Sequence, residues 1–567
     1  MRKRHGFLVF MFFVFHFGQT QNLGEEYILE WKKFYPSKAE KSGMHDAIFN
    51  YEHRDRQHIQ NWLAYNKEVL ALLSHENAKI DPIDGRLLRV QAQSEVDTYE
   101  VLALHHHSLT YYSQLMQHAI TGVLNADYLL QAERGSLLCG RLNAISDLAK
   151  AAKNNLFNVP KNDLEKGIKD LSRTLDYFKE GDEARNKDDD FSACNTTAET
   201  IQALQQLRNF ANALLANAKD AEPILGQKEF DRQLQLYTDS DLTSKKLEEM
   251  ALNEIQVVKR LMVEVSKEYF KATYPNNSMP KNEKEIIEKA LSDMEKDAPL
   301  NSLDYLKFWQ ELANDAVNFI NKNDIATLPA VNTLRIQTAP ESAGPAARIG
   351  WVASAPPFAP NPKTTLNLPS IPESLPYQEQ IDFWASFNKP FNRMIVIHEL
   401  YPGHYTQLKI SRETAHPIRL LFPYGLYIEG WATLTERVLL DEGWEKGNHL
   451  TFLAHLRKRL ENANRSYTSV QVHCNGWGQE QVMKFSTETS LLAPQFAKSL
   501  WGRIMRSPMQ LTSYFLGGAQ FSELLSYEKE RLGAKFQLKP FMDTAMKAGP
   551  IPIDEFYPIF EQMHPTE

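Results

Sequence analysis

Cysteine is scarce: Cys139, Cys194 and Cys474 are the only three in 567 residues. That excludes a disulfide-scaffold protein and a cysteine-built zinc site, and leaves room for one bridge at most. Positive charge is not in excess either, since 63 Lys and Arg stand against 71 Asp and Glu for a net charge of −8. A nucleic-acid partner is therefore not expected. Neither the Gly-x-Ser-x-Gly elbow of serine hydrolases nor a glycine fingerprint for phosphates or dinucleotides occurs, so those chemistries fall away. No repeat at a fixed period is found. What is present is ordinary globular material, 43% hydrophobic, 11% aromatic and 24% charged, which excludes a disordered chain and can bury a large core.

Residues 1–6 (MRKRHG) are basic and 7–17 (FLVFMFFVFHF) form a short apolar run that ends at Gly18-Gln19-Thr20-Gln21. A basic start followed by a short apolar stretch is the layout of a secretory signal peptide. The run falls short of the roughly 20 residues needed to cross a bilayer. The expectation is an exported protein, periplasmic or extracellular, with no stable membrane anchor once residues 1–20 are removed. No later run is a membrane-span candidate.

From about residue 45 to 330 apolar residues recur every three or four positions, as in Ile59–Leu73, Val96–Ala119, Ala198–Lys219 and Leu242–Phe270, the period of amphipathic helices. Residues 337–377 are proline-rich and exclude continuous helix. Within them Gly350–Ser354 or Thr364–Leu368 could be an extended edge near a cleft, because proline tolerates sheet edges. Helical signals return from 380 to about 548. The fold expected is mainly α with at most a small sheet, organised as a helical lobe over 21–335 and a chemistry-bearing region over 336–567, the two forming one unit. His105-His106-His107 is not expected to hold a metal, since adjacent helix positions point about 100° apart.

The informative segment is Met394-Ile395-Val396-Ile397-His398-Glu399-Leu400-Tyr401-Pro402-Gly403-His404. It resembles the His-Glu-x-x-His helix of zinc peptidases, in which two imidazoles four apart share a helix face. Six apart, His398 and His404 would be separated by about 240° on a regular helix. Pro402 and Gly403 stand where a break could return them to one side, proline by removing a helix hydrogen bond and glycine by its conformational range. Further on, Tyr427–Glu436 reads as a helix with Glu429 and Glu436 on one face. Two neutral imidazoles and Glu429 would give Zn²⁺ three ligands and an open position, a set suited to hydrolysis. Glu399 would serve as general base toward a metal-activated water, and Glu436 would orient an imidazole.

The pattern His-Glu-x-x-Pro-Gly-His followed by Glu-Gly-Trp-Ala-x-x-x-Glu resembles the domain-of-unknown-function family 885, often exported, predominantly helical proteins with a zincin-like metallopeptidase pattern. The resemblance spans most of the chain and is sharpest from about 335 to 553. It implies a large helical oligopeptidase- or carboxypeptidase-like fold with a central cleft, one zinc ion on His398, His404 and Glu429, and Glu399 as base. Arg465 to Trp477 is similar to the family's Arg-…-His-x-x-x-Trp stretch, which makes His473 and Arg465 candidates to steady an oxyanion or bind a substrate carboxylate. Pro508–Gly517 resembles Pro-Gly-Gln-x-x-x-Tyr-x-x-Gly and adds Tyr514 as a hydroxyl donor. The chain departs from the pattern at Ser469, Val470 and Gln471, at Met509 and at Met542.

These readings converge on an exported zinc metallopeptidase cleaving short peptides. Two alternatives stay open: hydrolysis of another amide or ester by the same centre, and a non-catalytic metal- or peptide-binding protein.

Overall fold

The computed structural model describes residues 22–565 apart from 76–77, 180–193, 195–196, 222 and 493. The leader lies outside them. Helices dominate, and the sheet has three short strands: β1 (Leu334–Thr338), β2 (Trp351–Ala353) and β3 (Thr364–Leu368). Their order is β1-β3-β2, with β1 parallel and β2 antiparallel to β3. The fold is thus mainly α, as the helical periodicity implies. Among the described residues no helix is long and apolar enough to cross a membrane.

Two of the local expectations need correction. Of the two stretches offered as an extended edge, Gly350–Ser354 holds the edge strand β2, whereas Thr364–Leu368 is the central strand; its prolines flank it and remove no ladder hydrogen bond. Val96–Ala119 is not one helix. The helix Pro82–Val96 runs into a wider π turn at Asp97–Val101, and the chain restarts at Leu104 and again at Leu109. Ala103 turns it with φ of 44°, a left-handed conformation that a non-glycine residue adopts rarely and that no proline or glycine announces.

One hydrophobic core holds residues from Leu23 near the start to Phe560 near the end, so it crosses position 335 without a break. Tyr27 and Trp31 of the first helix meet Phe422 edge-on, with ring centroids 5.6 and 5.5 Å apart. A second core belongs to the four helices Leu109–Leu124, Gln131–Asn155, Lys161–Lys179 and Thr197–Leu215. The single bridge that the cysteine count allows is formed here, Cys139 to Cys194, with a Cα separation of 5.2 Å in the range unstrained bridges favour. The histidine tract is also structural in this lobe: His106 Nδ1 reaches Asn155 O at 2.7 Å and His107 Nδ1 reaches Phe157 O at 3.1 Å.

Candidate metal centre

His398 closes the helix Lys389–Glu399, whose Val396, Ile397 and Met394 are fully buried and hold it against the core. The helix then breaks. Leu400 and Tyr401 both donate their N–H to Val396 O, Gly403 N donates to Ile397 O at 3.0 Å, and the next helix starts at His404. The Tyr401–Pro402 peptide is cis. Gly403 is obligatory by close approach, because a Cβ on it would lie 1.9 Å from the His398 carbonyl oxygen. Trp431 fixes the turn from outside by donating its indole N–H to Pro402 O at 2.9 Å.

The two inserted residues are thereby absorbed and the imidazoles face each other, with ring centroids 4.8 Å apart. Glu429, in the first turn of the helix Tyr427–Asp441, places Oε2 at 3.4 Å from His404 Nε2 and 3.7 Å from His398 Nε2. One ligand atom from each of the three lies within 4.8 Å of the others. Donors about 2.1 Å from one tetrahedral zinc would stand about 3.4 Å apart, so the set fits a single divalent cation. Glu429 Oε2 is buried without a hydrogen-bond partner, an arrangement costly for a carboxylate unless a cation serves it.

Behind His398 lies a buried hydrogen-bonded line. Its Nδ1–H donates to Glu436 Oε1 at 2.7 Å, and His455 Nδ1 meets Glu436 Oε2 at 2.9 Å. Such a carboxylate fixes the tautomer that leaves Nε2 free as a ligand. Burial would raise the Glu436 pKa, but His398 and His455 bring it down to about 2. Burial would lower that of His398, yet Glu429 and Glu436, with Glu399 nearby, raise it to about 10. Glu429 is likewise held well below the carboxylate range by the two imidazoles, against its burial. The two imidazoles thus keep Glu429 and Glu436 ionised despite their burial.

Glu399 is half-buried beside His398 and makes no side-chain hydrogen bond or ion pair among the described residues. His473 does not join the centre. It accepts Leu225 N–H on Nδ1 at 3.3 Å, its Nε2–H donates to Ile504 O at 3.1 Å, and burial lowers its pKa. Both nitrogens are spent on backbone, which makes it a neutral tie between segments rather than an oxyanion donor. Tyr514 and Arg465 come together, the guanidinium 4.7 Å from the ring centroid. The nearby Tyr237 phenol, raised to about 12 by burial with the Glu429 charge adding to it, donates to Gly425 O at 3.1 Å.

The departures from the family pattern are accommodated. Ser469 bonds back to Arg465 O at 2.7 Å within its helix, Val470 and Gln471 are buried in the same helix, Met542 packs fully inside the core, and Met509 sits in a regular helix opened by Pro508. Sequence reasoning passed over His455 and Gln407. The latter stands one turn beyond His404, wholly buried, and both of its amide atoms lack partners, as does His404 Nδ1.

The model for bacterial proteins of unknown function, DUF885, matches residues 36–556. The chain belongs to the DUF885 family. No curated protein matches it. Among solved structures, this DUF885 chain is similar to a protein from Shewanella oneidensis described as a candidate lipoprotein of unknown function, with 19% identity, a TM-score of 0.80, and 95% of this chain and 98% of the other covered. A second, from Colwellia psychrerythraea and described as a candidate lipoprotein, shares 18% identity at a TM-score of 0.68 with the same coverage, 95% and 98%. At these identities the likeness establishes the DUF885 fold over nearly the whole length.

Proposed function

We propose that this protein is an exported zinc-dependent peptidase acting on short peptides. The observation that carries the reading is the convergence of His398, His404 and Glu429 beside an uncommitted Glu399 carboxylate. A zinc ion held by these three would supply Lewis-acid activation of water and of the scissile carbonyl. Glu399 would take the proton of the attacking water and return it to the leaving amine. Glu436 keeps His398 in the ligating tautomer, and the buried surroundings of the cluster keep competing water from screening it. Export is supported by the basic-apolar leader and by the Cys139–Cys194 bridge, since disulfides persist in oxidising compartments.

Glu399→Gln tests the reading. The variant is expected to retain stoichiometric zinc while cleavage of a mixed short-peptide library, followed by mass spectrometry, drops by about 10²-fold or more. Unchanged turnover would remove Glu399 from the mechanism. Zinc binding without any turnover by the unmutated protein would favour the non-catalytic alternative.

A further inference from the structure

A cavity of about 340 Å³ opens where segments 86–102 and 232–239 face the loop 422–425, a volume at the small end of ligand pockets. Leu87 and Val90 of the helix Pro82–Val96, Leu102, Leu236 of the helix Gln227–Thr238, Phe422 and Met509 give it an apolar lining. The backbone around it is irregular. The π turn Asp97–Val101 supplies Asp97 and Thr98 to the wall, and left-handed residues stand at Ala103, next to Leu102, and at Asp239, with φ of 44° and 45°. Departures of this kind cost free energy and recur at functional sites.

The charged groups of the wall are already engaged. Arg86 pairs with Asp239, Asp554 and Glu555, Arg89 with Asp239, and Arg232 with Asp97 and Glu229. Three guanidinium groups against five carboxylates leave no cation to receive an anionic ligand, and a further negative charge would meet repulsion. A cation is not invited either. Asp97 accepts from Gln93 and Arg232 on its two oxygens, and Asp239 from Arg89 and Arg86. A neutral apolar group meets neither obstacle, and its burial removes hydrocarbon surface from water.

None of the three candidate ligands lines the cavity, but Tyr237 and Gly425 do. The two are in close contact: a Cβ on Gly425 would lie 2.6 Å from Tyr237 Cε2 and Cζ, and the phenol donates to Gly425 O at 3.1 Å. The charge of Glu429 reaches that phenol. Gly425 precedes Glu429 by four residues, about 6 Å along a helix at 1.5 Å per residue. An extended peptide covers that distance in about two residues.

We propose that this cavity receives a bulky apolar side chain of the peptide substrate, carried within a few residues of the bond that is cut. The inference deepens the peptidase reading and rests on it for the identity of the ligand as a peptide. It makes the protein selective for apolar sequences and averse to acidic ones at one position.

Isothermal titration calorimetry of the protein carrying Glu399→Gln, which needs no turnover, tests this with acetyl-trialanine amide and the three peptides in which leucine replaces one alanine. Leucine at one position is expected to tighten binding about tenfold or more, the size of the hydrocarbon added. Glutamate at that position should bind more weakly than alanine. Val90→Trp and Leu236→Trp fill the cavity from separate helices, and each should erase the preference, with the melting temperature as the check on folding. Should either variant fail to fold, the other and the leucine scan still decide. The proposal is overturned if leucine gains at no position, if the preference survives undiminished in a folded variant, or if lysine at the favoured position binds as tightly as leucine. Absence of cleavage by the unmutated protein with the preference intact would sink the hydrolase reading alone; cleavage with no leucine preference would sink this inference alone.

Discussion

Gly430 and Gly517 touch backbone to backbone where the helix bearing Glu429 crosses the helix bearing Tyr514. A Cβ on Gly430 would lie 2.5 Å from the Gly517 carbonyl carbon, and one on Gly517 would lie 2.1 Å from Leu426 O. No flexible side chain stands there to yield, so the helices themselves must part. Gly430→Ala and Gly517→Ala are each expected to cost about 1–3 kcal/mol in chemical denaturation, the usual penalty for overpacking. Because Glu429 is the neighbour of Gly430, G430A should also weaken zinc binding in a competition titration. A variant of unchanged stability and unchanged zinc affinity would show that the crossing does not set the carboxylate's position.

Glu436 is fully buried between His398 and His455. Replacing it by Gln keeps the volume and removes the charge that fixes the His398 tautomer, so zinc affinity should fall about 10–100-fold, as for other groups that orient ligating histidines. Glu436→Ala should in addition destabilise by about 3–5 kcal/mol, since two buried imidazoles lose their partner. If E436Q binds zinc as the unmutated protein does, the orienting role is wrong.

His404 has no such carboxylate. Its Nδ1 and both amide atoms of Gln407, one turn later, are buried and unpartnered. Residues three apart on a helix are neighbours about 5–6 Å apart at Cβ, so a side-chain rotation can bring the amide oxygen to the imidazole N–H. Gln407→Leu is expected to reduce zinc affinity and to alter the visible spectrum of the cobalt-substituted protein, with Gln407→Glu restoring both. A spectrum identical in all three proteins would leave Gln407 a packing residue.

Metal removal should register as stability. An ion that binds the native state alone contributes about 2.7 kcal/mol when its concentration is a hundredfold above its dissociation constant. Chelation should therefore lower the melting temperature, and added zinc should restore it in the unmutated protein but not in a His398→Ala, His404→Ala double variant. Equal melting with and without chelator would speak against the site.

The Glu461 carboxylate offers a pH test. Its native pKa of about 2 is below the roughly 4.3 of an unfolded glutamate, so its ionised form contributes stability that is present above the unfolded value and lost as pH falls through about 2. Glu461→Gln should be destabilising at neutral pH, with the deficit narrowing from about pH 4 downward. A deficit that does not change with pH would place its cause in packing.

How much of this was legible beforehand depends on whether the signal is local. Pro402 and Gly403 announce the break between the two histidines because each alters the backbone at its own position. Glu429 and Glu436 announce a shared face because helical spacing is arithmetic. His455 carried no such mark, since its tie to Glu436 is made across a helix boundary. Lys458, Arg465 and Arg503 gather on the Tyr514 ring from different turns and helices, a grouping visible only once they pack. His473 misled for the same reason: its motif position says nothing of the Ile504 carbonyl and Leu225 amide that occupy both nitrogens. Ala103 hid a helix break because its left-handed turn uses neither proline nor glycine.

The principal core takes side chains from Leu23 through to Phe560. The helix that carries His398 contributes Val396 and Ile397 to that same interior, so packing ties the surroundings of the histidine pair to segments more than 500 positions apart in the chain.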